Sequence, residues 1–266
     1  MRCAYVTTNL LDMWSRPQFN TERVSQLLFA DTVEVSSTQK GYARVKQPDG
    51  YSGWVLADHL QAISKRQMYD YTRGVNSVVS ADRAVLHRNV ERADLQPHFV
   101  YYGTRLRVAR PARGLVRCQL PDNSPVYLKP QRIRPINSKK GREATPSRIV
   151  SEAKRFLGVP YLWGGVSPAG FDCSGFVRAA YGSFGIYLPR DTKDQIRCGI
   201  EVAREHVRTG DLLFFDRHVG LAMTGERLIH ASVGGSGVRV NDLRPESDNY
   251  RPDLDSNFAT ARRILC

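Results

Sequence analysis

The sequence predicts an α+β chain in which two small β-rich modules precede a mixed domain of helices and antiparallel strands. Three observations carry that expectation. Residues 1–66 break into short alternating runs bounded by turn residues, with no helix-length apolar period. Residues 67–138 repeat the pattern in diverged form. From residue 147 to 266, helical spacing and a hairpin pattern occur together. At 266 residues, 41% apolar and 24% charged, the chain has the composition of a folded protein of two or three domains.

In the first module the strand-like runs are LLFADTVEV, GYARVKQ and GYSGWVLADHL, and Pro48-Asp49-Gly50 marks a tight turn. A sheet this small buries a core by closing on itself, so a compact β-barrel is expected. In the second module SVVSADRAVLHR, TRLRVARPARGLVRCQL and SPVYLKPQRIRPI supply strands around a turn at Pro121-Asp122-Asn123. Its ending, VYLKPQRIRPI, echoes GWVLADHLQAI of the first and points to a duplicated barrel. Residues 139–146 are polar and charged and read as a linker. Thr145 and Pro146 then open a helix with apolar positions Ile149, Val150, Ala153, Phe156 and Leu157, closed by Gly158 and Pro160.

The stretch from Gly158 to Gln195 holds Cys173 where a Gly- and Pro-rich loop gives way to a helical pattern of Phe176, Val177, Ala180, Tyr181 and Phe184. Asp172 stands at the N-cap, so Cys173 falls in the first turn. Unpaired N–H groups and the helix dipole there favour thiolate over thiol. The polar or tiny neighbours Asp172, Ser174 and Gly175 set this cysteine apart from a buried apolar one.

Residues 217–232, RHVGLAMTGERLIHAS, read as a β-hairpin with a histidine on each strand. A three-residue loop, Thr224 to Glu226 with Gly225 in the left-handed position, sets Met223 opposite Arg227 and His218 opposite Ser232. His230 then lies diagonally from His218 on the same face, about 7–8 Å away between backbones. A two-residue turn would put the histidines on opposite faces. A helix-terminal cysteine and two histidines on one face suit acyl transfer by a thiolate. His218 takes and returns the proton, and His230 fixes its tautomer and orientation. With no C-x-x-C and no H-E-x-x-H in the chain, neither a metal nor any other cofactor is expected.

Five cysteines, Cys3, Cys118, Cys173, Cys198 and Cys266, are odd in number and irregularly spaced, which argues against a disulfide framework and suits a reducing compartment. No stretch approaches the roughly 18 apolar residues of a membrane span. The opening MRCAYVTTNLLDMWSRPQF lacks the apolar core and cleavage site of a secretory signal. The expectation is a cytoplasmic location, or a periplasmic or extracellular one for a chain whose signal has been removed.

The segments PYLWGG, FDCSGFV, LPRDT..Q, GDLLFF, HVGLAM and LIHAS, in that order within 147–266, resemble the NlpC-type peptidases, papain-like cysteine enzymes acting on bacterial cell-wall peptides. The resemblance implies a papain-like α+β domain with Cys173 as nucleophile, His218 as base and His230 as third polar residue. It also implies cleavage between γ-D-glutamate and a diamino acid such as meso-diaminopimelate or lysine. Tyr161, Asp172, Ser174, Arg190, Asp191 and Thr192 would line the site. In the first module, DGYSGWV followed by ADHL resembles a bacterial SH3-like domain. Among relatives so built, a carboxylate of that barrel can accept the substrate's free amino group. By motif position Asp31 is that carboxylate, with Tyr51 as a neighbour. The implied substrates are stem peptides with a free N-terminal L-Ala, released during wall turnover.

Charge is unevenly placed, since residues 67–146 carry +9 of the net +13. A basic second barrel suits an anionic wall polymer as partner, or is a solvated surface; nucleic acid is not expected, for want of an accompanying motif. An acyltransferase or amidase using the same thioester, and a non-catalytic wall-binding protein, are the alternative functions.

Overall fold

Alternating burial along short strands builds the first part of the chain. The computed structural model describes residues 2–87, 99–112, 114–136 and 144–265. The chain divides into two compact units, Met1–Gly141 and Arg142–Cys266. In the first unit, seven antiparallel strands run in the order Arg23–Leu28, Leu10–Trp14, Ser52–Leu56, Tyr42–Lys46, Thr32–Gln39, Arg2–Val6 and Leu60–Ile63. Leu11, Met13, Leu27, Val33, Ala43, Val45 and Val55 point to its interior. A second, five-stranded sheet runs Pro125–Leu128, Leu115–Gln119, Arg105–Ala112, Ser77–Val79 and Ile133–Pro135, with a ribbon of Arg83–Val85 and Phe99–Tyr101 beside it in the sequence.

Backbone hydrogen bonds make the internal repeat explicit. Val6 N–H donates to Asp31 C=O, Ala30 N–H to Val6 C=O and Asp31 N–H to Leu28 C=O. The same three bonds recur as Val79 to Thr104, Gly103 to Val79 and Thr104 to Tyr101. The turn bonds Gln47 to Tyr51 and Gly50 to Gln47 recur as Leu120 to Ser124 and Asn123 to Leu120. Every pair is displaced by 73 positions. Left-handed backbone sits at matching places, Ala30 with Gly103 and Gly50 with Asn123. The echoed endings fold alike: Ser52–Leu56, a 3-10 turn at Ala57–His59 and Leu60–Ile63 in the first copy, then Pro125–Leu128, Pro130–Arg132 and Ile133–Pro135 in the second.

One element departs from the all-strand expectation. Helix Lys65–Gly74 crosses the expected junction at residue 66. Ser64 and Gln67 form a reciprocal capping box, the side chain of each bonded to the backbone N–H of the other. Tyr71, one turn beyond Gln67, is buried in the core of the second sheet, so the Ser-x-x-Gln spacing was a legible start signal. That core also takes in Tyr5, Phe29 and Ala30 from the first copy, and the Tyr5 hydroxyl donates to Asp122 at 2.9 Å. The two copies therefore share one apolar interior.

The second unit centres on a six-stranded antiparallel sheet in the order Ile200–Val202, Thr260–Arg263, Leu212–Phe215, His218–Ala222, Arg227–Ser232 and Gly237–Asp242. Helix Pro146–Lys154 starts at Thr145, whose hydroxyl accepts the Arg148 N–H. Ile149, Val150, Ala153 and Phe156 are buried, whereas Leu157 follows the helix and is 49% exposed, so it is not part of the core expected for it. Helix Cys173–Gly182 buries Phe176, Val177, Ala180 and Tyr181 and packs on His218–Ala222, on Arg227–Ser232 and on the first helix. It ends before Phe184. Among the described residues, no helix is long and apolar enough to cross a membrane.

Because Phe29 is 1% exposed within the shared interior, Phe29→Ala is expected to destabilise the first unit by roughly 3–5 kcal/mol. Leu157→Ala should cost within about 0.5 kcal/mol. Urea unfolding of the full chain with a fluorescence probe in each unit checks both.

Candidate active site

A buried carboxylate determines where the cysteine sits. Asp172 caps helix Cys173–Gly182: its Oδ1 accepts the Gly175 N–H at 2.6 Å and its Oδ2 the Gly164 N–H at 3.0 Å. Arg190 donates to both oxygens, at 3.2 and 2.6 Å, and to Ser174 Oγ at 2.8 Å. The Ser174 hydroxyl donates to Asp172 Oδ1 at 3.2 Å. Gln195 Nε2 ties the same turn down by donating to the carbonyls of Ser174 and Pro189, at 3.1 and 2.9 Å. A Cβ on Gly175 would collide with the carbonyl oxygen of Gly165, so glycine is required for this approach of helix and loop.

The residues implied to line the site thus divide. Asp172, Ser174 and Arg190 are buried and engaged with one another; they anchor the helix start. Thr192 does face the nucleophile, its Oγ1 lying 3.8 Å from Cys173 Sγ. Tyr161 is half-buried nearby, its hydroxyl pushed up by burial and by the charges of Cys173 and Asp172. Asp191 takes the N-cap position of the short helix Thr192–Gln195, and its carbonyl accepts the Asp194 and Gln195 N–H groups. In the first unit, Asp31 Oδ2 accepts the Leu28 N–H at 2.9 Å and Oδ1 lies 3.7 Å from Arg105 Nη2. Tyr51 packs against the first core, and its hydroxyl donates to the Val24 carbonyl at 3.1 Å.

The hairpin has the register that brings the histidines together, with Leu221 opposite Ile229 and Ala222 opposite Leu228. Its loop closes differently from expectation. Gly225 is not left-handed. Thr224 Oγ1 instead accepts the Arg227 N–H at 3.2 Å, while the Met223 and Thr224 N–H groups both donate to the Arg227 carbonyl. Gly220 is the residue facing His230 in this register. A Cβ there would stand 3.3 Å from His230 Cβ and 2.7 Å from Leu228 Cδ1, so the missing side chain gives the imidazole its space.

His218 Nε2 and His230 Nδ1 are 2.7 Å apart, with the rings edge to face. His230 Nε2 lies 3.0 Å from Asn241 Oδ1, and Asn241 Nδ2 donates to the Asn249 carbonyl at 3.0 Å. Beside them Arg251 is held by Asp253 through two bonds, at 2.7 and 2.6 Å. Helix Cys173–Gly182 packs directly on strand His218–Ala222, which joins the helix start to the histidine strand.

Burial dominates the electrostatics. It brings His230, fully buried, down to about 4 against the opposing acceptor bond to Asn241, and Arg251 and Arg239 push the same way as burial. His218 is lowered to about 3 by burial, then by His230 and Arg251. The Cys173 thiol is pushed up, first by burial and next by the Asp172 charge. Donors at Val219, Thr192 and Ser174 oppose that rise. Burial thus opposes the thiolate that the helix terminus favours: Cys173 is 8% exposed, and a helix terminus typically contributes only about 0.3–1 kcal/mol. The same loss of water disfavours the imidazolium at His218 and His230.

Among the described residues, no group of three or more His, Cys, Asp or Glu side chains is arranged to hold a metal ion. Cys3, Cys118, Cys173 and Cys198 are free thiols. Sequence reasoning missed Gln195, Gly220, Asn241 and Asn249. Gln195 was visible within LPRDT..Q, but Asn241 becomes a neighbour of His230 only through the pairing of Arg227–Ser232 with Gly237–Asp242.

Two consequences are measurable. His230 stays neutral in the fold down to about pH 4, whereas an unfolded histidine takes its proton near 6.5. Between these values the unfolded chain binds the extra proton, so stability falls as pH drops from 6.5 to 4. Thermal melts across this window should show that slope, and it should be shallower in His230→Gln. Asp172→Ala leaves the Arg190 guanidinium buried without its carboxylate and should destabilise the second unit by roughly 3–5 kcal/mol in urea unfolding.

Comparison with known proteins identifies relatives along most of the chain. The NlpC/P60 family matches residues 158–251, and the bacterial dipeptidyl-peptidase Sh3 domain matches residues 13–60. A γ-D-glutamyl-L-lysine dipeptidyl-peptidase of Bacillus cereus (strain ATCC 10987 / NRS 248) is 30% identical over 235 residues, spanning 85% of this chain and 68% of the relative. The protein of that name from Bacillus subtilis (strain 168) is 28% identical over 239 residues, 82% of this chain and 75% of the relative. The crystal structure of an NlpC/P60 family protein from Bacillus cereus ATCC 10987 shares the fold, with a TM-score of 0.85 over 99% of this chain and 100% of that one, at 24% identity. An SH3-like domain ahead of a papain-like one, and a relative matched at 30% identity along most of both chains, lead to one conclusion: the chain belongs to the NlpC/P60 family of cysteine peptidases.

Proposed function

We propose that the protein hydrolyses the γ-D-glutamyl-diamino acid bond of peptidoglycan stem peptides, with preference for peptides bearing a free N-terminal L-Ala. The observation that carries this is a thiol in the first turn of a helix that packs on the strand of His218, with His218 bonded in turn to His230. The names of the two Bacillus relatives support the choice of bond.

Because burial disfavours the charged form of both groups, proton transfer accompanies attack. His218 takes the thiol proton as Sγ bonds to the scissile carbonyl carbon. The Cys173 backbone N–H, at the helix start, is the proposed donor to the developing oxyanion. The C–N bond then breaks, His218 returns the proton to the leaving amine, and a thioester remains. Water, deprotonated by His218, adds to the thioester carbon. The C–S bond breaks, the glutamyl carboxylate leaves and Sγ recovers its proton. Thr192, 3.8 Å from Sγ, steadies the thiol through this cycle, and Tyr161 and Asp191 are the proposed substrate contacts.

Selectivity for a free amine is assigned to Asp31. The internal repeat supports this: Thr104 occupies the position matching Asp31, and the same backbone bonds close that turn. The backbone bonds of the turn form with either residue; the Asp31 carboxylate adds a bond from the Leu28 N–H and an ion pair with Arg105, and its charge suits a charge-assisted bond to ammonium, with Tyr51 the neighbouring candidate. The sequence 67–138 is proposed as a second SH3-like module whose excess of basic residues holds anionic wall polymer.

Mass-spectrometric digestion of L-Ala-γ-D-Glu-diaminopimelate, its lysine counterpart and their N-acetylated forms tests the reading. Wild type is expected to cleave the free peptides, Cys173→Ala neither, and Asp31→Asn to lose preference for the free amine. Equal cleavage of free and acetylated peptides by wild type would remove the Asp31 role. A peptide bond formed to an added amine, with no hydrolysis, would make the protein an acyltransferase.

A further inference from the structure

Resting on the peptidase reading, the polar chain behind His218 determines which of its nitrogens is the base. We infer that Asn241 is a positioning residue that imposes one tautomer on both histidines and leaves Nδ1 of His218 as the nitrogen that takes the thiol proton.

The argument starts from a group that cannot change its role. The backbone carbonyl of Asn249 only accepts, so the Asn241 amide must turn its NH2 toward it, at 3.0 Å. The reverse amide orientation would set two acceptor oxygens against each other. Asn241 Oδ1 therefore faces His230 Nε2, at 3.0 Å, and requires the hydrogen to be on that nitrogen. A neutral His230 with hydrogen on Nε2 has a bare Nδ1, which accepts. His218 Nε2, 2.7 Å away, must then donate. In neutral His218 the remaining nitrogen, Nδ1, carries the free lone pair. Each bond in the chain follows from the one before it, and the first is set by the main chain.

The same directions hold during reaction. When His218 accepts the proton at Nδ1, its Nε2–H still donates to His230, so the positive ring keeps an acceptor and no bond reverses. Remove the Asn241 carbonyl oxygen and either tautomer of His230 becomes available. The tautomer with hydrogen on Nδ1 would meet the His218 Nε2–H head on, and would drive that hydrogen to the nitrogen needed as base. The other charged groups bearing on the rings are Arg251, already paired with Asp253, and Arg239; none of these is an acceptor for His230 Nε2 among the described bonds.

Two measurements on the full chain test this. In ¹⁵N–¹H spectra of the imidazoles at pH 7, wild type is expected to show hydrogen on Nε2 and a bare Nδ1 for both rings. Hydrogen on Nδ1 of either neutral ring overturns the inference, whether or not any variant folds. Alkylation of Cys173 by iodoacetamide, which needs no peptide, should slow in Asn241→Ala on the order of ten- to a hundredfold, the range typical of groups that orient a histidine. Asn241→Asp keeps an acceptor and adds charge. It should alkylate within about threefold of wild type, and move the acid limb of the rate profile to higher pH. An Asn241→Ala rate equal to wild type, an Asn241→Asp rate as low as Asn241→Ala, or an unmoved acid limb each overturns the inference. Where peptides are cleaved, the Asn241→Ala loss should fall on kcat with KM unchanged. If wild type cleaves no stem peptide, the peptidase reading fails while the spectra and alkylation rates still decide the part played by Asn241.

Discussion

The site depends on a buried ion pair. Asp172 meets two backbone N–H groups, the Ser174 hydroxyl and both guanidinium arms of Arg190, so a buried carboxylate has a donor for each of its lone pairs. Burying such a charge is costly unless it is fully satisfied, and full satisfaction makes the geometry unique. That uniqueness is passed to the next residue in the chain, Cys173. The Cys173 sulfur is thus located by buried charge.

The second constraint is the pairing register of the sheet. Antiparallel pairing puts Gly220 opposite His230, where a Cβ would crowd Leu228 Cδ1 and His230 Cβ, and puts His218 and His230 within bonding distance of each other. The next pairing, with Gly237–Asp242, supplies Asn241. Three consecutive strands each give one member of a hydrogen-bonded row, and each imidazole is kept neutral chiefly by loss of water. The burial that disfavours the imidazolium also makes the strand sensitive to acid.

In the first unit, duplication explains an otherwise unusual economy of signals. Bonds repeating at a shift of 73 residues show that the two copies solve the same backbone problem, and the side chains at matching positions have diverged. Ala30 and Gly103 both adopt the left-handed conformation, but only the first copy follows it with a carboxylate. The repeated backbone bonds hold through this change, and in the first copy the carboxylate adds its own bond from the Leu28 N–H.

The sequence by itself determined the α+β class, the strand-rich first half, the helix opened by Asp172, and a hairpin whose register followed from reading Thr224 to Glu226 as a three-residue loop. Local rules sufficed there because caps, turns and alternation act between residues close in the chain. They misjudged Gly225, whose loop is closed by a threonine hydroxyl, and overlooked the Ser64–Gln67 capping box amid strands. They also predicted a thiolate at Cys173, because a helix terminus is written in the sequence and desolvation is not. Tertiary structure alone decided that Arg190 supports Asp172 from 18 positions away, that Gln195 binds the turn from below the same loop, and that Asn241 stands behind His230. Those partners are set by which elements pack together, and packing sums many weak contacts that no local pattern encodes.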